Sequence, residues 1–205
     1  SLNVSGATTL TNLIVNGDFE SGTTGWAAKT GATVTKSTTQ AWQGYGSLSV
    51  DTTTSANSGV SYNYTFAPST QYTLTFNAKA ASGTITDFVA GRQDVSGTDV
   101  TCLTAQTLTT NWKQYTCTFT TGATITSSNI FFQKSGASAE TFYIDGVQMQ
   151  AGAFISAFNA GGTIQLNGII DSPVAIQNSS NSTNAFQVQN ASGASIFTVD
   201  SVNKK

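Results

Sequence analysis

The chain has 205 residues, a formal net charge of −2, only 9% charged residues, no histidine and two cysteines. Its polar fraction is dominated by Thr, Ser, Asn and Gly, which suit strands and turns: β-branched Thr fits a pleated surface, and Gly, Asn and Ser supply tight bends, so a helical bundle is excluded. The 39% hydrophobic content is enough for one core and a small appendage, no apolar run is long enough for membrane insertion, and no basic patch interleaved with aromatics points to nucleic acid.

Three zones follow in chain order. Residues 1–12, an alternating stretch from Ser1 to Asn12, read as an N-terminal linker strand. Residues 13–152 carry strand signals broken by Gly, Ser and Asn at the spacing of a β-sandwich. Val60, Tyr62, Tyr64 and Phe66 alternate with polar residues, as do Tyr72, Leu74, Phe76 and Ala78 with Thr73, Thr75, Asn77 and Lys79. One face of each is therefore expected to be apolar and the other wet. Tyr115, Cys117 and Phe119 repeat the pattern, with Trp112 before them as a core plug. A turn near Thr109–Asn111 would set Cys102 opposite Cys117 on an antiparallel pair, giving either a cross-strand disulfide of an oxidising compartment or two facing buried thiols. Zinc is excluded, since there is neither a histidine nor a third cysteine. Residues 153–205 read as a β-hairpin-rich extension or stalk, with short strands at 163–166, 174–177, 185–189 and 195–199 and turns at Asn167-Gly168 and Asn190-Ala191-Ser192-Gly193. Too few apolar residues lie there for an independent core, so the tail packs on the sandwich or is completed by another chain through its exposed strand edges. Met149 is the only methionine and Ser1 opens the chain, which reads as a processed or excised piece of something larger.

The segments Asn16-Gly17-Asp18-Phe19-Glu20-Ser21-Gly22, with Trp26 after it, and Phe142-Tyr143-Ile144-Asp145-Gly146-Val147 resemble the opening and closing strands of the carbohydrate-binding modules of families 4, 9 and 22. The resemblance implies an all-β fold, a jelly-roll β-sandwich with a β-rich C-terminal extension, in which these two segments pair and share a structural calcium. The implied oxygens come from Asp18 or Glu20, from a backbone carbonyl around Gly46, and from Asp145. Gly146 stands where a second Asp is common in those families, which removes one acceptor. The two flanking zones resemble connecting repeats of bacterial surface proteins and fibres.

Sugar binding needs flat aromatic faces and amides or carboxylates aimed at hydroxyls. If the polar parity faces form the concave face of the roll, they gather Asn63, Thr75, Asn77, Asp87, Gln93, Phe131 and Gln133, with Phe131 outward because Ile130 and Phe132 take the inward parity. The resemblance gives ligand-binding amides to the positions of Asn63, Gln93 and Gln133. Trp42 and Tyr45 make a rim platform in one reading and a plug for the sandwich end in the other. Catalysis is not expected, because histidine is absent and no nucleophile has a base partner. Two readings stand together. One is a non-catalytic extracellular or cell-surface module of a larger surface or filament protein, structural in role, self-associating through its terminal strands and able to take a polysaccharide. The other is a dedicated carbohydrate-binding module.

Overall fold

The structure, a computed structural model, describes residues 12–153, 158, 183, 186–189 and 194–203. The linker strand expected over residues 1–12 lies, Asn12 apart, outside the described residues, as do the strands expected at 163–166 and 174–177 and both expected tail turns. Every regular element among the described residues is a strand, so the fold is all-β. The chain divides into two compact units, Ser1–Gln165 and Leu166–Lys205.

The first unit is a jelly-roll sandwich of two five-stranded antiparallel sheets. One sheet holds β1 (Trp26–Lys29), β4 (Gly59–Asn63), β9 (Asn129–Lys134), β6 (Ile85–Val95) and β7 (Thr98–Leu108), in that spatial order. The other holds β2 (Thr33–Ser37), β3 (Ser47–Asp51), β10 (Thr141–Ala151), β5 (Gln71–Ala80) and β8 (Lys113–Thr120). Between them lie Val60 and Tyr62 of β4, Leu74 and Phe76 of β5, Phe88 of β6, Tyr115 and Phe119 of β8, Ile130 and Phe132 of β9, and Phe142 and Ile144 of β10. The alternation in the sequence thus assigns these inward faces, because successive strand residues point to opposite sides. The second unit contains the hairpin of β11 (Phe186–Gln189) and β12 (Ser195–Val199).

The opening and closing segments do meet, but the opening one is a run of turns rather than a strand. Leu13 N donates to the Met149 carbonyl at 2.9 Å and Val147 N to the Gly17 carbonyl at 2.8 Å. The Asn12 side chain completes the seam, donating to the Val147 carbonyl and accepting from Met149 N, each at 3.0 Å. Gly17 is obligatory here, since a Cβ would stand 2.1 Å from the Val147 oxygen.

Three expectations are corrected. The polar face of β5 is not wet: Thr73, Thr75 and Asn77 are all buried, because Thr73 and Thr75 bond to Thr118 and Thr116 of β8 and Trp42 lies over Gly146 beside Asn77. Trp112 is no core plug; it is half-buried outside the apolar core, with Lys79 Nζ 5.9 Å from its ring. Cys102 and Cys117 form a disulfide, with Cα atoms 5.7 Å apart, but β7 and β8 are not a hairpin. They are edge strands of opposite sheets, so the bridge laces one flank of the sandwich. Its sequence separation of 15 residues corresponds to about 3 kcal/mol of loop-closure entropy. Replacing both cysteines with alanine is expected to lower the urea-unfolding free energy by about that amount, whereas an unchanged midpoint would show that the flank holds without it.

Candidate functional site

The outer face of the first sheet carries the predicted amides. On β4, β9 and β6 the residues opposite in parity to the core are Asn63, then Asn129, Phe131 and Gln133, then Gln93. Antiparallel register places Gly59 beside Gln133, Gly91 beside Phe131 and Gln93 beside Asn129. Asn63, paired with Asn129, lies exposed at the end of this face. The structure therefore brings Gln93, Phe131 and Gln133 together and sets Asn63 at their margin. Thr75 and Asn77 belong to the other sheet and are not part of the face. Asp87 lies toward its far end, where it accepts from Gly136 N at 2.8 Å.

Two charged residues that sequence reasoning missed dominate this face. Lys29, at the end of edge strand β1, and Asp99, near the start of the opposite edge strand β7, form an ion pair at 2.6 Å. In a flat sheet, four strand spacings would separate those edges by about 19 Å, far beyond the reach of a lysine and an aspartate. The sheet is accordingly curved, with this face inside the curve. The register between β6 and β7 shifts repeatedly, as expected where bulges bend a strand. Gly59 and Gly91 permit the curvature: a Cβ on Gly59 would meet the Gln133 side chain at 2.7 Å, and one on Gly91 would meet the Phe131 ring at 2.7 Å and the Val100 carbonyl at 2.2 Å.

A network spans the concavity. Lys29 Nζ donates to Gln133 Oε1 at 2.6 Å, and Gln133 Nε2 donates to Asp99 Oδ2 at 3.1 Å and to Asn57 Oδ1 at 3.0 Å. Gln93 Nε2 reaches Asp99 Oδ1 at 3.2 Å, while its Oε1 accepts from Ser127 and Asn129. Phe131 lies beneath, with Lys29 Nζ 5.2 Å from its ring centroid. The ring points outward as parity required, yet it is 0% exposed, so it is the floor under this network. Asn129 Oδ1 is buried without a hydrogen-bond partner. The available signal for Lys29 and Asp99 was scarcity: in so uncharged a chain each charge has to be accounted for, and Asp99 is the one charged residue of β7.

Trp42 and Tyr45 lie elsewhere. Trp42 packs over Gly146 of β10, in the second sheet, with its ring 6.1 Å from that of Phe158. It is 38% exposed and Tyr45 is 85% exposed. Their loop is held by two carboxylates. Asp145 Oδ2 accepts from Trp42 N at 2.7 Å and Gln43 N at 3.1 Å, and Glu20 Oε1 accepts from Tyr45 N at 2.7 Å and Gly46 N at 3.0 Å. Asp18 makes a long contact from Glu20 N at 3.4 Å and does not join the other two; among the described residues no three acidic side chains gather as a metal cluster. Lys36 Nζ donates to the Glu20 carbonyl at 2.8 Å. Burial pushes the Asp145 carboxyl up to about 6, opposed by the Gln43, Trp42 and Gly146 N–H groups and reinforced by the Glu20 charge.

The sequence model of a family described as a carbohydrate binding domain matches residues 11–139, and the chain belongs to that family. Its fold is similar to that of the CBM22-1 xylan-binding domain of Paenibacillus barcinonensis Xyn10C, at 24% identity and a TM-score of 0.55, covering 65% of this chain and 90% of that one. It is also similar to the C-terminal family 22 carbohydrate binding module of Clostridium thermocellum Xyn10B, at 24% identity and a TM-score of 0.57, again over 65% and 90%. A further xylan-binding domain of family 22 aligns at 24% identity and a TM-score of 0.56, over 72% of this chain and 94% of that one. At these identities the likeness is one of fold. No curated protein sequence matches the chain.

The Asp145 shift has a defined sign. The carboxyl titrates from 3.8 when unperturbed and near 6 in the folded protein, so between those values the folded state binds more protons and stability falls as pH rises. With divalent cations chelated, about 2 kcal/mol is lost between pH 4 and pH 7. Asp145→Asn should flatten that slope in a series of thermal melts; an equally steep fall in the variant would assign it to another group.

Proposed function

We propose that the chain is an extracellular, non-catalytic carbohydrate-binding module that takes a polysaccharide along the inside of the curved first sheet. The observation that carries this reading is the convergence there of Gln93, Gln133, Lys29 and Asp99 from four strands. Paired donors and acceptors at fixed spacing are what sugar hydroxyls require. Asn129 Oδ1 adds an acceptor for a hydroxyl, and Asn63 extends the face at its margin. The family membership supports carbohydrate as the ligand class, and the neighbours described as xylan-binding domains make xylan the first probe. The disulfide supports an oxidising, extracellular setting. No helix among the described residues is long and apolar enough to cross a membrane.

Calcium belongs to the same reading as a structural ion. Glu20 and Asp145 fit it: Asp145 is buried, the two carboxylates repel each other, and no lysine or arginine among the described residues forms an ion pair with either. A bound divalent cation would be held by these two side chains and would neutralise them, tying the opening turns to the closing strand. The contribution of Asp18 and Gly46 rests on the family resemblance.

Affinity electrophoresis through soluble xylans and other β-linked polysaccharides, run in calcium and in chelator, tests both parts. Retardation is expected, weakened about tenfold or more by Gln133→Ala, with a higher melting temperature in calcium. A wild-type chain that no polysaccharide retards contradicts the module, and a melting temperature indifferent to calcium contradicts the ion.

A second role in assembly is supported by the second unit. Val188, Ile196 and Phe197 of the β11–β12 hairpin are exposed large apolar residues, and a lone two-stranded hairpin is marginal in water. Pairing of terminal strands between copies would cover them. Light scattering should then give an oligomer for the whole chain and a monomer for residues 12–153; a monomer in both cases rules the pairing out.

A further inference from the structure

Resting on the reading of the curved face as a glycan site, we propose that its ligand is an acidic polysaccharide, whose uronate carboxylate takes the place that the Asp99 side chain fills. Three N–H donors from three strands converge on that carboxylate. Lys29 Nζ and Gln133 Nε2 reach Oδ2 at 2.6 and 3.1 Å, and Gln93 Nε2 reaches Oδ1 at 3.2 Å. One ammonium and two amides aimed at two oxygens form a carboxylate receptor, since charge-assisted bonds of this kind are the strong ones. Asp99 is thus an internal occupant of a site shaped for an anion.

Its attachment permits exchange. Asp99 stands next to Thr98, which closes the two-residue turn Ser96-Gly97, and the register between β6 and β7 shifts between Arg92 and Val95. The side chain is held by its three donors at the tip of a hairpin in an edge strand, while the rest of the receptor stands on β1, β9 and β6.

The identity of the competing ligand follows from Lys29. Its side chain is 19% exposed and lies over the Phe131 ring at 5.2 Å. A neutral sugar that displaced Asp99 would leave this largely buried ammonium with an amide oxygen, Gln133 Oε1, and no counter-charge, which is unfavourable. A uronate restores the charge balance and uses the same three donors. Neutral backbone sugars on either side then meet Asn129 and Asn63.

Calorimetric titration of the whole chain tests this with three ligands: neutral xylo-oligosaccharides, the same backbone bearing glucuronic acid branches, and oligogalacturonate. The wild type is expected to bind the acidic ligands at least tenfold more tightly than the neutral one, with the difference shrinking as salt is raised. Asp99→Asn should tighten acidic binding further by removing the competing charge, and Lys29→Gln should abolish the preference. Equal wild-type affinity for neutral and acidic ligands at low salt overturns the proposal without use of any variant, as does weaker acidic binding by a folded Asp99→Asn protein. In both cases glycan binding itself stands. Absence of binding to every glycan overturns the module reading together with the proposal.

Discussion

The hydrogen-bonded seam between residues 12–17 and strand β10 is the constraint on which the rest of the sandwich depends. β10 lies at the centre of the second sheet, between β3 and β5, and its register against β5 slips between Asp145 and Gln148. The bulge is made by Gly146, whose φ of 59° is in the left-handed region that favours glycine. It turns the Asp145 carboxylate toward the N–H groups of Trp42 and Gln43 and leaves a bare patch of backbone for the Trp42 ring. Glu20, carried by the opening turns, grips the next part of the same loop at Tyr45 and Gly46. A side chain on Gly17 would push the opening turns off Val147 and separate the two carboxylates that hold that loop.

The opposite side of the molecule solves a different problem. A five-stranded sheet whose outer face holds amides and a phenylalanine would be expected to leave the ring in water. Curvature and the Lys29–Asp99 pair prevent it: glycines at 59 and 91 let neighbouring strands crowd the Phe131 ring, and the lysine covers it. An ion pair of this kind gains from reduced solvent screening but loses hydration, and breaking it on one side costs more than the intact pair contributes. Its surrounding amides therefore matter as much as the charges, because Gln93 and Gln133 satisfy both Asp99 oxygens and Gln133 also takes a hydrogen bond from Lys29.

Parity along the strands was legible in the sequence, and it sorted Ile130 and Phe132 from Phe131, and Tyr115, Cys117 and Phe119 from their polar neighbours. The meeting of the opening and closing segments was implied instead by the family resemblance that Asn16–Trp26 and Phe142–Val147 carry. Parity says which residues share a side of their strand; it does not say which sheet a strand joins or how far that sheet bends. Parity therefore groups Thr75 and Asn77 with Gln133, although β5 and β9 lie in different sheets, and it gives Phe131 as outward without showing that the bend of the sheet buries it. The same limit applies to the cysteines, where a pairing across a hairpin and one across the sandwich have identical sequence spacing. Lys29 and Asp99 are separated by 70 positions and lie on strands that never touch in a ladder; only sheet curvature joins them.

Among the described residues, most of the cations are committed internally. Lys29, Arg92 and Lys134 are in ion pairs, Lys36 is bonded to a backbone carbonyl and Lys79 to Gln40. What remains for the solvent is largely hydroxyl and amide. Such a surface has little long-range field, so it neither draws partners from a distance nor repels its own kind. Copies of this sandwich can be crowded side by side on a scaffold at high density with little electrostatic penalty, and the spacing in such an array would be set by the reach of their connecting segments rather than by ionic strength.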